Sequence, residues 1–252
     1  MSLFTRRRVT QLELQPELRN LERRLFLRGS FSLGALTLLS GCDLTDGDAV
    51  DRALWAMSRF NDRVQAALFN PNRLAATFPA SAITKPFPFN AYYPESDVRI
   101  VDTAAWRLEL SGLIEDKKPW SLAMLRSLPQ ESQITRHICV EGWSAIGQWS
   151  GVPLHLFLKR VGADMRARYV GIKCFDDYWT SIDMATALHP QTIMALDFGE
   201  SPLPPAYGSP LKLRIPTKLG FKNPKYIAAL FVTNTDPGGY WENQGYNWFS
   251  GS

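Results

Sequence analysis

The sequence predicts an α+β, strand-rich single domain behind a cleavable leader. Three observations carry this. "RYVGIKCF", "YWTSIDM", "PLKLRIP" and "KYIAALFVTN" are dense in branched and aromatic residues, which suit strands. Regular helices do not alternate with them, as a doubly wound βαβ fold would require. Residues 80–252 contain no linker, internal repeat or low-complexity tract. An apolar fraction of 45% is that of an ordinary globular protein and supplies a sizeable core.

The net charge of +4 invites a nucleic-acid reading, and its distribution removes it. Residues 1–41 hold seven arginines and three glutamates, which is the whole surplus, so residues 42–252 are formally neutral. No basic stripe remains to track phosphates, and no nucleic-acid partner is expected.

Residues 1–41 read as an export signal. Arg23-Arg24 and Phe26-Leu27 precede a weakly polar apolar stretch from Gly29 to Ser40. That stretch is too short to span a bilayer of about 30 Å as a helix. Paired arginines before a short apolar region are the address of the twin-arginine route; an amphipathic first helix of the fold is the alternative. Leu39-Ser40-Gly41-Cys42 resembles a bacterial lipobox, which predicts acylation of Cys42, with ordinary signal cleavage as the alternative. Asp43 after the cysteine resembles an inner-membrane retention signal. The expected location is the periplasmic face of the inner membrane, or the soluble periplasm.

Residues 42–79 read as a tether followed by a helix, and 80–252 as the domain. "DLTDGDAVDRA" is small and acidic, as a flexible stalk should be. Residues 51–69 place Leu54, Met57, Val64, Ala67 and Leu68 at helical spacing. Pro79, Pro86, Pro88 and Pro94 then forbid regular helix and predict an extended surface segment. "WRLELSGLIE" alternates as a half-buried strand does. Ser121 caps a short helix that ends before Pro129. "SQITRHICV" reads as a strand, and "GVPLHLFLKRVG" as a helix with Pro153 in its first turn and Gly162 past its end. The tail from Pro237 is aromatic and turn-rich.

Most familiar sites are absent. There is no G-x-S-x-G elbow, phosphate loop or dinucleotide fingerprint. His137, His155 and His189 lack metal-ligand spacing, and no C-x-x-C pair suggests zinc. With Cys42 set aside, Cys139 and Cys174 remain. They could pair as a disulfide, lie buried as small hydrophobes, or one could be a thiolate ligand to a metal.

The residues around Cys139 carry a resemblance. "CVEGWSAIGQWSGVPL" is similar to the cysteine loop of the sulfite-oxidase-type molybdopterin enzymes, in the bacterial branch that includes periplasmic methionine-sulfoxide reductase catalytic subunits. Cys139, Val140, Glu141, Trp143, Ser144, Trp149, Gly151, Pro153 and Leu154 match it. "LPPAYGSPLKLRIPTKLGFKNPKYI" resembles the second signature through Gly208, Pro210, Gly220, Lys222 and Lys225, and "FNAYY" resembles a pterin-contacting element through Asn90 and Tyr93. Together these span most of residues 80–235.

The resemblance implies the sulfite-oxidase fold and a molybdenum-molybdopterin cofactor, one per chain. Cys139 would be its protein thiolate ligand. Asn90, Tyr93, Cys174 and Tyr207 would line the pterin, and Lys212, Lys222 and Lys225 with the backbone of Asn223 would hold its phosphate. The implied reaction is oxygen-atom transfer on a small substrate. Sulfoxide reduction is the first expectation, with oxidation of sulfite or another small oxyanion as the alternative; a pterin binder without turnover, or a structural-thiol protein, are the non-enzyme alternatives. Electrons would come from a separate partner, such as a membrane haem or quinone-linked protein. Four positions depart from the family pattern: Tyr207 stands for His or Asn, Lys212 for Arg, Cys174 for Thr, and Ile138 for the Arg before the metal cysteine. Lysine offers a point charge where arginine offers a fork.

Overall fold

The computed structural model describes residues 47–252, with side chains from residue 50 onward. The leader and Cys42 lie outside the described residues. Residues 56–252 form one compact unit. The first described element is a 22-residue helix, α1, Gly47–Leu68. Residues 69–106 then run without regular strand, as their prolines require, broken by 3₁₀ turns at Ala80–Ala82 and Glu95–Asp97.

Two sheets follow. The first is built from β1 (Arg107–Gly112), β2 (Trp120–Ser121), β5 (Tyr169–Cys174), β6 (Trp179–Asp183) and β10 (Ile227–Thr233), in the order β2-β1-β10-β5-β6. Only β1 and β10 run parallel in it. The second holds β3 (Glu131–Ile138), β4 (Ser144–Pro153), β7 (Ile193–Phe198) and β8 (Ser201–Pro202) in that order, with β9 (Lys212–Arg214) also paired to β7. Three short helices connect them: α2 (Leu122–Arg126), α3 (Leu154–Arg160) and α4 (Met184–Leu188).

The caps follow the sequence rules. The Ser121 hydroxyl accepts from the amide of Met124 at 3.2 Å, and Asp183 accepts from Thr186 at 2.7 Å. Pro153 ends β4 and stands at the N-cap of α3, one residue earlier than expected. α4 and β7 carry no distinct signal in the sequence: both are short, and β7 packs as a nearly continuous buried run, "IMALDF", which periodicity cannot separate from helix. Trp106, Leu108, Phe157, Ile172 and Leu230 belong to the main core. A smaller aromatic cluster around Phe87 and Trp149 packs under β4 and β7.

Candidate active site

A concavity of about 350 Å³ opens where the two signatures meet. β3 aims one wall of it. Along that strand Thr135 and His137 are buried while Arg136 is exposed, the alternation of a pleated strand, and Cys139 continues the inner row. The chain then turns sharply into β4. The amide of Cys139 donates to Trp143 O at 2.9 Å, and that of Gly142 donates to Cys139 O at 3.2 Å. Gly142 has φ of 92°, a conformation that its lack of Cβ permits. The turn leaves Cys139 only 5% exposed, yet in the pocket wall.

Around the thiol the contacts are specific. Its Sγ lies 3.6 Å from Glu141 Oε2 and 3.8 Å from Asn90 Oδ1. Glu141 is held in turn by Trp143, whose Nε1 donates to it at 2.9 Å. Burial, with the Glu141 carboxylate beside it, pushes the Cys139 thiol above its ordinary range. Asn90 Nδ2 sits 2.7 Å from His137 Nε2, which ties the proline-rich segment to β3. Burial and the cations Arg214, Lys212 and Lys225 hold the His137 imidazole well below its usual pKa, so it is neutral. A Cβ at Gly220 would come within 2.8 Å of His137 Nε2 and 3.0 Å of Asn90 Nδ2, so only glycine permits this approach.

The opposite wall is basic. Lys212 is 4% exposed, and its ammonium donates to Asn223 O at 3.0 Å. Lys225 donates to Ala206 O at 3.1 Å and lies 4.5 Å from the centre of the Phe89 ring. Neither lysine forms an ion pair among the described residues. Burial lowers the pKa of both: Lys212 falls well below its usual value, and Lys225 is drawn down to about 8, with Asp176 opposing the shift. Behind them lies Arg214, wholly buried and overlooked in the sequence. Its guanidinium donates to Asn223 Oδ1 at 2.9 Å, Thr135 Oγ1 at 3.1 Å and Arg136 O at 2.6 Å. Three cations thus converge with no carboxylate of the described residues in contact.

The structure brings together Asn90, Tyr93, Cys139, Lys212, Asn223 and Lys225 as walls of one pocket. Cys174, Tyr207 and Lys222 are not among those walls. Cys174 is a free thiol in the main core, as a buried small hydrophobe; Asp176, two residues on, takes the pocket position. Tyr207 donates to Phe87 O at 2.8 Å and packs on Phe198 in the smaller cluster. Lys222 is 1% exposed, and its ammonium donates to Glu242 Oε1 at 2.5 Å and Ser181 O at 2.8 Å. That charge is already neutralised inside the fold, so it is not offered to a ligand. Asn223 needs a narrower role than expected. Its backbone amide donates to Gly220 O, and its side chain serves Arg214, Ile215 and Leu219. It steers Lys212 through its carbonyl, its backbone N–H is spent on Gly220, and one N–H of its side-chain amide is taken by Leu219.

These residues fit the cofactor on their own chemistry. An unpaired buried cation is costly. An anionic group entering beside Lys212 and Lys225 removes that cost and is held by charge-assisted hydrogen bonds. Across the pocket Cys139 offers one soft donor. Among the described residues no group of three or more His, Cys, Asp or Glu side chains could hold a metal alone, so a metal here needs ligands of its own.

Residues 95–241 match the family model described as "Oxidoreductase molybdopterin binding domain". The chain belongs to this family. Its fold is that of the sulfite-oxidase-type molybdopterin enzymes, its cofactor is molybdenum-molybdopterin, and it is an oxidoreductase. It is 65% identical over 230 residues to an Azospira oryzae protein named "Putative protein-methionine-sulfoxide reductase subunit YedZ1", covering 91% of this chain and 88% of that one. It is 32% identical over 168 residues to the protein-methionine-sulfoxide reductase catalytic subunit MsrP of Xanthomonas campestris, covering 60% of this chain and 52% of the relative. The sulfane dehydrogenase SoxCD of Paracoccus pantotrophus shares the fold at a TM-score of 0.52 and 16% identity, over 55% of this chain and 40% of that one.

Proposed function

We propose that this molybdopterin oxidoreductase is exported, acylated at Cys42, and reduces sulfoxides, with methionine sulfoxide the first substrate to test. The observation that carries the site assignment is the buried thiol of Cys139 sharing one pocket with buried Lys212 and half-buried Lys225, neither of which forms an ion pair among the described residues. Cys139 is the metal ligand in this reading; its proton leaves when the metal binds, since the thiolate is the donor. Lys212 and Lys225 hold the pterin phosphate, and Asn90 and Tyr93 line the pterin. The cofactor supplies a two-electron centre for oxygen-atom transfer. The balance is R₂SO + 2e⁻ + 2H⁺ → R₂S + H₂O: the S–O bond breaks, sulfur is reduced, and the oxygen leaves as water. A membrane haem or quinone-linked protein delivers the electrons.

The pocket's outer walls favour this substrate class. Tyr92, Phe221, Trp241 and Tyr246 line it, and Tyr92 and Tyr246 are exposed while Lys212 is at depth. Tyr92 stacks on Tyr240 with centroids 5.3 Å apart and an angle of 21°. Aromatic faces and edges attract a sulfur-bearing side chain. A sulfite dianion would meet the exposed Glu141 carboxylate there.

Metal and pterin analysis of the holoenzyme, with a substrate panel, tests the reading. Methionine sulfoxide should turn over with a reduced dye, and sulfite should not be oxidised at a comparable rate. The reverse order overturns the substrate assignment. Cys139→Ser should keep much of the pterin and lose nearly all turnover; a fully active variant with an unaltered Mo(V) resonance removes Cys139 as ligand.

A further inference from the structure

Helix α1 is turned inside out. An amphipathic helix on a globular protein normally buries its apolar stripe. Within residues 56–68, the less exposed positions are Ser58, Asp62 and Gln65, and Phe69 continues the row just past the helix end. Their spacing marks one face, and it is polar up to Phe69. Asp62 Oδ1 accepts from the amide of Phe249 at 2.8 Å, and Gln65 Oε1 accepts from that of Gly251 at 3.2 Å. Phe69 packs edge-on against Phe249 at 5.3 Å. The helix is therefore latched to the C-terminal segment by its polar edge. Met57, Phe60, Val64 and Leu68 form the other face, exposed by 64%, 63%, 39% and 80%. Leu74 continues this surface, exposed by 59%, beside a second concavity of about 650 Å³.

The charges around this stripe have one sign. Arg59 and Arg63 are exposed on the helix flank next to Phe60, and Arg73 and Arg136 line the second concavity. None of the four forms an ion pair among the described residues. No Asp or Glu side chain lines that concavity. The helix carries one acid beyond residue 55, Asp62, and it is spent on Phe249. Exposed apolar side chains bordered by unpaired arginines match the two layers of an anionic bilayer surface: acyl chains beneath, phosphates above. An apolar protein groove would satisfy the stripe but leave the arginines without partners.

We propose that residues 56–74 form an in-plane membrane contact, in which Met57, Phe60, Val64 and Leu68 enter the interface of an anionic bilayer and Arg59 and Arg63 bind lipid phosphates. The contact does not need the acyl group at Cys42. The two are compatible: Cys42 is five residues before Gly47, and five residues span at most about 18 Å. An acylated chain would deliver this helix to the lipid surface and fix which side of the domain faces it.

The test uses the purified full-length holoenzyme carrying Cys42→Ala, so that acylation cannot contribute. Vesicles of phosphatidylcholine with phosphatidylglycerol should co-float the protein, and Met57→Ser, Phe60→Ser and Val64→Ser together should lower the bound fraction at least tenfold. Turnover with a soluble dye donor should not change, since these residues lie outside the pocket. Arg59→Gln with Arg63→Gln should erase the preference over pure phosphatidylcholine. A bimane label at Val64→Cys gives a local readout independent of the leader; Cys139 and Cys174 are buried and leave it the accessible thiol. Its emission should shift to the blue on anionic vesicles and be quenched by lipid-phase nitroxides. Equal flotation of parent and triple variant, or a label that stays in water, overturns the proposal. A parent that is dimeric in solution and becomes monomeric in the triple variant also overturns it, in favour of a second copy as the occupant. Loss of flotation with turnover intact leaves the sulfoxide-reductase reading untouched, and failure of that reading leaves this contact untouched.

Discussion

Lys222 and Lys225 are three residues apart, both carry the family signature, and they end in opposite electrical environments. Lys222 enters the fold and meets Glu242, itself 5% exposed, in a buried pair. Lys225 and its neighbour Lys212 face a cavity and, among the described residues, have no acid in contact. The difference teaches that a signature lysine can serve the scaffold or the ligand, and that the counter-ion decides. A paired buried cation stabilises the fold only while both partners remain. An unpaired one is a cost that a ligand can remove.

The comparison can be broken most sharply at Lys222. Lys222→Met leaves Glu242 buried and alone, and should cost about 3–5 kcal/mol of stability. Thermal melts should show this before any loss of cofactor affinity; a variant with wild-type melting and reduced pterin would return Lys222 to the ligand side. Lys212→Met should do the opposite. The apo-protein should melt no lower than wild type, because a desolvated charge has gone, while pterin content falls by tenfold or more. Lys225→Gln should lower pterin content by a smaller factor, since its ammonium is half-buried and partly screened by solvent.

The smallest effect is in pH. Lys225 titrates at about 8 in the folded apo-protein against an ordinary 10.5, and Lys218 at about 7. Between those values and 10.5 these two lysines bind more protons in the unfolded chain than in the folded one. Stability of the apo-protein should therefore rise with pH from about 7 to about 9, above which Cys139, Cys174 and the buried tyrosines, whose protons burial holds in the folded chain, oppose the rise. Bound phosphate keeps Lys225 charged and removes its share of the slope. Denaturant titrations of apo- and holoenzyme across that range should give the flatter line for the holoenzyme.

Much of this was legible in the sequence. The strands around "RYVGIKCF" and "KYIAALFVTN" follow from local composition, and the Ser121 cap from local chemistry. Cys139 stood out because its whole loop is contiguous. What could not be read is what the fold brings together across long separations. Glu242 lies twenty residues beyond Lys222 in a tail with no pattern of its own, so the pair that neutralises Lys222 was invisible. Asn90 meets His137 across forty-seven residues, and His137 shows no ligand-like spacing. Arg214 sits in a three-residue strand and reads as an ordinary solvated charge until Asn223 is seen to bind it. The periodicity of α1 was correct, but periodicity gives a stripe and not the direction it faces.

Asn223 has a further consequence. It uses its carbonyl on Lys212, its side-chain oxygen on Arg214 and Ile215, and its side-chain nitrogen on Leu219. The cationic wall is thus built before any cofactor arrives and cannot relax by swinging away. A chain made when molybdenum is scarce holds that wall empty and carries its full cost. Loading raises stability in proportion to the logarithm of cofactor over its dissociation constant. Unloaded chains should open more often and reach proteases sooner. We expect cellular abundance to follow metal supply at constant synthesis, and a pulse-chase in molybdate-starved cells should show a shorter half-life for wild type than for Lys212→Met.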